Sequence, residues 1–161
     1  MAKGEGRSAA RLAAVQALYQ MDVADAPLHE VLAEFESFWI GREVEGDAYK
    51  PAEIAFFRDI VEGVLREQRR LDPDIDAALS SGWPLRRIEV VLRAILRAGA
   101  YELLHRRDIP ARVVISEYVD VAGAFVERDE AGMVNAVLDL LGRRLRGGEF
   151  DGAARGAGGH R

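Results

Sequence analysis

Arginine side chains at helical spacing are the residues of this sequence best suited to binding chemistry. Arg86, Arg93 and Arg97 are separated by seven and four residues, so on a helix they lie within about 40° of one another. Guanidinium groups in such an arginine stripe can bind the phosphates of a nucleic acid. The stripe could equally be a solvated helix face with local ion pairs. The spacing alone leaves both interpretations open.

A second set of basic side chains lies at the start of the chain. Lys3, Arg7 and Arg11 recur at steps of four residues, which aligns them on one face if the helix begins before Ser8. If Ser8 caps the helix instead, Lys3 and Arg7 lie on a flexible arm that could order on contact with RNA. An ordinary charged terminus is the simpler alternative.

The sequence does not indicate enzyme chemistry. It contains no Gly-x-Ser-x-Gly, Walker loop or dinucleotide fingerprint, and it has no cysteine to act as a nucleophile or metal ligand. The three histidines, His29, His105 and His160, are too scattered to suggest a metal site. We therefore expect no catalytic residue, no metal and no cofactor.

Charge is distributed unevenly along the chain. The net charge is −5, and residues 22–79 carry fifteen acidic against six basic side chains. Residues 1–21 and 86–112 are net basic, and the latter segment has seven arginines against three acidic residues. The local field matters more than the total charge, so a nucleic acid could still bind at these two segments. The sequence also has no signal core, no membrane span and no cysteine, so we expect a cytoplasmic protein.

Helices are the elements predicted to position these residues. Apolar residues recur at helical spacing, and no segment alternates with period two for long enough to indicate a strand. We expect an all-α, compact helical bundle of about seven helices, in which Phe125 belongs to the apolar stripe of the sixth. Cap and turn residues place helix starts near Ser8, Pro27, Pro51, Asp72 and Asp129, and apolar faces that begin at Ile88 and Val114 indicate two further helices.

The chain length favours a single domain. We expect this domain to span residues 1–146, with sub-bundles at about 7–80 and 84–146. The turn formers Ser80-Ser81-Gly82-Trp83-Pro84 mark the boundary between them. Residues 147–161 are rich in Gly and Ala and are predicted to be a disordered tail.

Three segments, in their order and separation, resemble the NusB family of transcription antitermination factors. They are Ala14–Tyr19 (AVQALY), Arg93–Leu103 (RAILRAGAYEL) and Val134–Asp139 (VNAVLD). Phe57–Val64, Leu71-Asp72 and Asp108–Ile115 add agreement, so the resemblance covers about residues 7–145.

The resemblance implies a fold of two three-helix sub-bundles with an extra helix, and a role in recognition rather than bond making. It implies binding to the boxA element of ribosomal RNA leader transcripts together with NusE, a small-subunit ribosomal protein. The pair would join RNA polymerase and other Nus factors, suppress premature termination and support ribosomal RNA synthesis. A protein-only helical interaction module without specific RNA binding is the alternative.

The family's functional positions can be carried onto this sequence. The implied RNA contacts are Lys3, Arg7, Arg11, Arg93, Arg97 and Arg112, with Tyr19 as a ring on which a base could stack. Tyr19 could as well be a ring buried against its neighbours. Asp129 and Met133 are the implied partner contacts. Ser8 and Ala9 stand where family members often carry arginines, which implies that RNA affinity is low without NusE.

Overall fold

A computed structural model describes residues 3–44, 51–79 and 88–150, and every regular element within them is helical. In chain order the helices are α1 (Lys3–Ala24), α2 (Leu28–Val44), α3 (Pro51–Ala78), α4 (Val90–His105), α5 (Ala111–Gly123) and α6 (Arg128–Leu145). Residues 147–150 add a seventh helical segment. The all-α prediction of about seven helices is thus confirmed. No helix in these ranges is long and apolar enough to cross a bilayer.

Helix α4 lies at the centre of the bundle. It packs against α1, α3, α5 and α6, and ten of its side chains or glycines are buried between Leu92 and Leu103. A helix that is apolar nearly all round is typical of a buried position. Side chains of α4 can therefore reach partners on four other helices. The sub-bundle boundary predicted at residues 80–84 lies outside the described residues, so the division into sub-bundles stays a prediction.

Helix α1 begins before Ser8, at Lys3. Ala10, Ala14 and Ala17 are fully buried in it, and these small side chains let α1 pack closely on α3 and α4. Ser8 is not the cap, because it lies inside the helix and its hydroxyl donates a hydrogen bond to Glu117. The structure therefore selects the earlier helix start of the two that the sequence left open.

Helix α3 continues through Asp72-Pro73, where the sequence predicts a new helix. A proline inside a helix removes one backbone hydrogen bond and crowds the preceding turn, at a cost of about 3 kcal/mol. Pro73 is exposed, whereas Leu71 and Ile75 on either side of it are buried. Burying each of these side chains contributes about 1.5–3 kcal/mol, so packing outweighs the proline. The prediction of a separate helix here is wrong.

The start of α6 and the chain beyond it differ from the prediction. A capping box forms from Glu127 and Glu130, in which Glu130 Oε1 accepts a hydrogen bond from the Glu127 backbone N–H at 3.2 Å. Asp129 lies in the first turn and is not the cap. Residues 147–150, predicted to be disordered, are helical, and Phe150 packs against the core. Residues 151–161 lie outside the described residues.

Candidate nucleic-acid interface

The N-terminal basic residues lie on a helix rather than on a flexible arm. Because α1 begins at Lys3, the four-residue steps place Lys3, Arg7 and Arg11 along one face. Arg7 is half-buried, and its guanidinium carbon lies 5.1 Å from the centroid of the Phe56 ring on α3. The side chain of Lys3 lies outside the described residues. Arg7 is thus held at the N-terminal end of the bundle by an aromatic ring.

Arg11 is a core residue, which contradicts the prediction that it contacts RNA. Only 2% of it is exposed. Its Nε and Nη2 donate to both carboxylate oxygens of Glu102 on α4, at 2.8 and 3.0 Å. Its Nη1 donates to Glu117 on α5 at 2.9 Å. The guanidinium is fully engaged in joining three helices, so Arg11 is not available to a phosphate.

Two hydroxyl groups complete the buried network around Arg11. Tyr118 donates to Glu102, and Ser8 donates to Glu117. Burial raises the pKa of Tyr118 well above its usual value, and the charge of Glu102 adds to the effect. Burial disfavours the charged form of Arg11, but its hydrogen bond and charge interaction with Glu102 outweigh this, so the pKa of Arg11 is raised. Arg11 therefore stays charged inside the bundle.

Three guanidinium groups surround the ring of Phe56, which we call the Phe56 cluster. The guanidinium carbons of Arg7, Arg11 and Arg106 lie 5.1, 5.0 and 5.0 Å from the ring centroid. Cations at such distances are attracted to an aromatic face. Arg11 is the buried member, whereas Arg7 and Arg106 are only partly buried. These two arginines, which are 99 residues apart in the chain, therefore belong to one surface.

Carboxylates hold Arg106 in this position. Arg106 donates to both oxygens of Asp108 at 3.1 Å and to Asp59 of α3 at 3.0 Å. The hydrogen bonds from Arg106 are the main cause of the lowered pKa of Asp108, and Arg7 contributes further. The bond to Asp108 likewise raises the pKa of Arg106. Arg106 is outside both sets of regularly spaced basic residues, and its one signal in the sequence is the net basic segment 86–112 that contains it.

The arginine stripe of α4 forms ion pairs with neighbouring helices. Arg97 donates to both oxygens of Asp72 on α3 at 2.9 Å, and its Nη1 lies 3.6 Å from Asp22 of α1. Arg93 Nη2 lies 3.9 Å from the same Asp22 carboxylate. Arg86 is outside the described residues. Local ion pairs thus occupy Arg97 and neutralise much of the stripe, so RNA contacts by Arg93 and Arg97 stay predictions.

An open, largely apolar groove is the other prominent surface feature. Tyr19 on α1 is 43% exposed, and Phe125 in the connection from α5 to α6 is 40% exposed. The alternative of a buried Tyr19 ring is therefore wrong, and so is the placement of Phe125 on the apolar stripe of its helix. The groove has a volume of about 730 Å³. Its lining residues are Gln16, Tyr19, Glu89, Val90, Val91 and Phe125.

The remaining predicted positions are on the second half of the chain. Arg112 is exposed in the first turn of α5, and Asp129 is exposed in the first turn of α6. Met133 is half-buried and packs against the core. Contacts of these residues with RNA or a partner stay predictions. No group of three or more His, Asp or Glu side chains among the described residues is arranged to hold a metal ion.

Comparisons of the sequence with known proteins agree on one family. The model of the NusB family matches residues 8–143. The Transcription antitermination protein NusB of Bradyrhizobium diazoefficiens is 70% identical over 148 residues, which cover 92% of this chain and 90% of that protein. The protein of the same name from Nitrobacter hamburgensis is 68% identical, with 92% of each chain covered.

Solved structures share the fold. The T. maritima NusB structure has a TM-score of 0.76 and 28% identity, and the match covers 90% of this chain and 96% of that one. A structure of the antitermination factors NusB and NusE in complex with dsRNA has a TM-score of 0.72 and 23% identity. That match covers 87% of this chain and 98% of the other, and at this identity it supports the fold alone.

Proposed function

Because the chain belongs to the NusB family, we propose that it is a transcription antitermination factor that binds boxA-type RNA together with NusE. With RNA polymerase and other Nus factors it would suppress premature termination and support ribosomal RNA synthesis in the cytoplasm. The relatives carry the name of an antitermination protein, and a structural neighbour contains NusB, NusE and RNA. This role consists of recognition and needs no catalytic residue.

The position of Arg7 and Arg106 beside the same Phe56 ring is the observation that best supports RNA binding. The ring fixes both guanidinium groups within about 5 Å of its centroid and so limits the rotamer freedom that either side chain would lose on binding. Asp59 and Asp108 orient Arg106, whereas Arg7 carries its charge beside them. Phosphates of a single strand would bind at Arg7 first, and Lys3 would extend the site along α1.

The groove beside Tyr19 supplies the second kind of contact. RNA bases stack on exposed aromatic rings, and Tyr19 and Phe125 are the two exposed rings of this groove. If Tyr19 stacks a base, Tyr19→Ala should weaken RNA binding by the protein alone. If the groove instead receives NusE, the same variant should weaken binding only when NusE is present.

Fluorescence anisotropy tests the proposal. A labelled boxA-type RNA is titrated with the protein, with and without NusE, at two salt concentrations, and a scrambled RNA is titrated for comparison. We expect selective binding that NusE strengthens and salt weakens. Arg7→Ala should weaken binding about five- to tenfold and reduce the slope of log K against log salt by about 0.7, the value for one phosphate contact on a single strand.

Arg70→Ala is the matched control for this titration. Arg70 is exposed on α3, and its Nη1 lies 3.9 Å from the carboxylate of Glu67. It lies about 20 Å along the helix from Phe56 at the usual rise per residue, so its loss should leave RNA affinity unchanged. If the wild type does not distinguish boxA-type from scrambled RNA even with NusE, the protein-only interaction module is the correct interpretation.

A further inference from the structure

The chain beyond α6 reaches back to the loop that joins α4 to α5. Arg146, whose side chain is fully buried, donates hydrogen bonds to four backbone carbonyl groups in this region. The acceptors are Glu102, Leu103, Arg106 and Ile109. Three of these carbonyls lie in the last turn of α4 or at its C-cap, where the helix leaves acceptor capacity open. The Glu102 carbonyl also accepts a hydrogen bond from the Arg106 backbone N–H at 2.8 Å. One side chain therefore caps α4 and fixes the loop that follows.

Glu149 attaches the far end of the same loop. Its Oε1 accepts a hydrogen bond from the backbone N–H of Ala111, the first residue of α5, at 2.9 Å. Its Oε2 lies 3.2 Å from Nη1 of Arg146. A carboxylate at a helix N-terminus and a cation at a helix C-terminus both complement the helix dipole. Arg146 and Glu149 thus join the end of α4 to the start of α5.

Phe150 anchors this segment to α6. A Cβ atom on Gly142 would lie 2.9 Å from Cζ of the Phe150 ring, so the ring occupies space that only glycine leaves open. The guanidinium carbon of Arg143, also on α6, lies 4.9 Å from the centroid of the Phe150 ring. We call Arg146, Glu149 and Phe150 the C-terminal clamp. Its members contact α4, α5 and α6, so its position is determined by packing.

Burial of the Arg146 charge indicates that the loop depends on this residue. A buried guanidinium is tolerated only when its donors are satisfied, and here backbone carbonyls satisfy them. The loop itself, residues 106–110, is held internally by the backbone bond from Ile109 N–H to the Arg106 carbonyl at 3.0 Å. Its location relative to α4 is fixed by Arg146 together with Ile109, which is buried in the core.

We propose that the C-terminal clamp positions the α4–α5 loop so that Arg106, held by Asp59 and Asp108, remains in the Phe56 cluster and keeps Arg7 in place to bind RNA phosphate. The backbone of Arg106 is held by Arg146, while its side chain lies over Phe56. Arg146 is a positioning residue, because its buried side chain cannot touch RNA. Its role in RNA binding rests on the proposed function, whereas its hold on the loop is independent of it.

Arg146→Lys in the full-length chain tests this role. Lysine keeps the positive charge but cannot reproduce the planar fork of five donors, so any loss of RNA binding cannot come from lost charge. Hydrogen exchange of the Ile109 and Ala111 amides should accelerate, and the Kd for boxA-type RNA should rise about tenfold, the equivalent of one lost charge-assisted hydrogen bond. Arg144→Lys, exposed in the last turn of α6, is the matched control and should change neither.

Glu149→Ala provides the same test if Arg146→Lys fails to fold, because Glu149 is 43% exposed. Faster exchange of the Ala111 amide with unchanged RNA affinity would overturn the positioning role. Unchanged exchange in both variants would overturn the clamp itself. A wild type that binds no RNA would overturn the proposed function and the RNA-binding part of the inference, and the exchange rates would still decide whether the clamp holds the loop.

Discussion

At the scale of single residues, spacing does not separate a binding arginine from a core arginine. Arg7 and Arg11 are one helical turn apart on the same face of α1, yet only Arg11 is fully buried. The difference comes from Glu102, which lies 91 residues further along the chain. A partner at this separation leaves no local signal in the sequence, so the prediction for Arg11 failed for a physical reason.

We predict that Arg11→Met destabilises the protein by about 3–5 kcal/mol, because it leaves the Glu102 carboxylate buried without its cation. The equivalent change Arg7→Met should cost less than about 1 kcal/mol, since Arg7 is only partly buried and its charge is accessible to water. Urea unfolding of both variants at neutral pH measures the difference. Equal unfolding midpoints for the two variants would contradict the assignment of Arg11 to the core.

At the scale of helices, apolar periodicity predicted the elements and packing set their limits. The stripes of α1, α4, α5 and α6 were evident in the sequence, whereas the continuity of α3 was not, because local signals at Asp72-Pro73 were outweighed by tertiary burial. The close approach of α3 to α4 was equally invisible. A Cβ on Gly63 would lie 2.2 Å from the Tyr101 ring, so a small residue on one helix makes room for a ring on the other.

The contact between α3 and α4 leads to a prediction about alkaline pH. The Tyr101 hydroxyl donates to Asp59 at 2.6 Å, and burial, followed by this hydrogen bond, raises the pKa of Tyr101 to about 12. The unfolded phenol ionises near its ordinary pKa of about 10. The stability from this group is thus fully present below about pH 10 and is lost as the pH rises towards 12.

Tyr101→Phe isolates this contribution. At about pH 8 the variant should be less stable than the wild type by about 1 kcal/mol, the usual value of one hydrogen bond. This advantage of the wild type should shrink as the pH passes 10, while Tyr118 contributes equally to both proteins. Urea unfolding across this range, with phenolate absorbance of the native state, makes the comparison. A Tyr101 phenol that titrates near 10 in the native protein would contradict it.

At the scale of the whole molecule, the fold redistributes the charge seen along the chain. Aspartates from the acidic first half neutralise part of the basic second half, as Asp72 does for Arg97 and Asp59 for Arg106. The net charge of each sequence segment could therefore identify basic regions, but it could not show which arginines are accessible. The family segments predicted the fold and the class of function well. The Phe56 cluster could not be predicted, because it combines residues from α1, α3 and the α4–α5 loop.

NMR signals of the arginine Nε–Hε groups show whether RNA contacts the Phe56 cluster. They are measured on the full-length protein with NusE while boxA-type RNA is added. The signals of Arg7 and Arg106 should shift with RNA, whereas that of the buried Arg146, which lies outside the Phe56 cluster, should stay in place and serve as the internal control. If the RNA binds without moving the signals of Arg7 and Arg106, the Phe56 cluster is not its binding site.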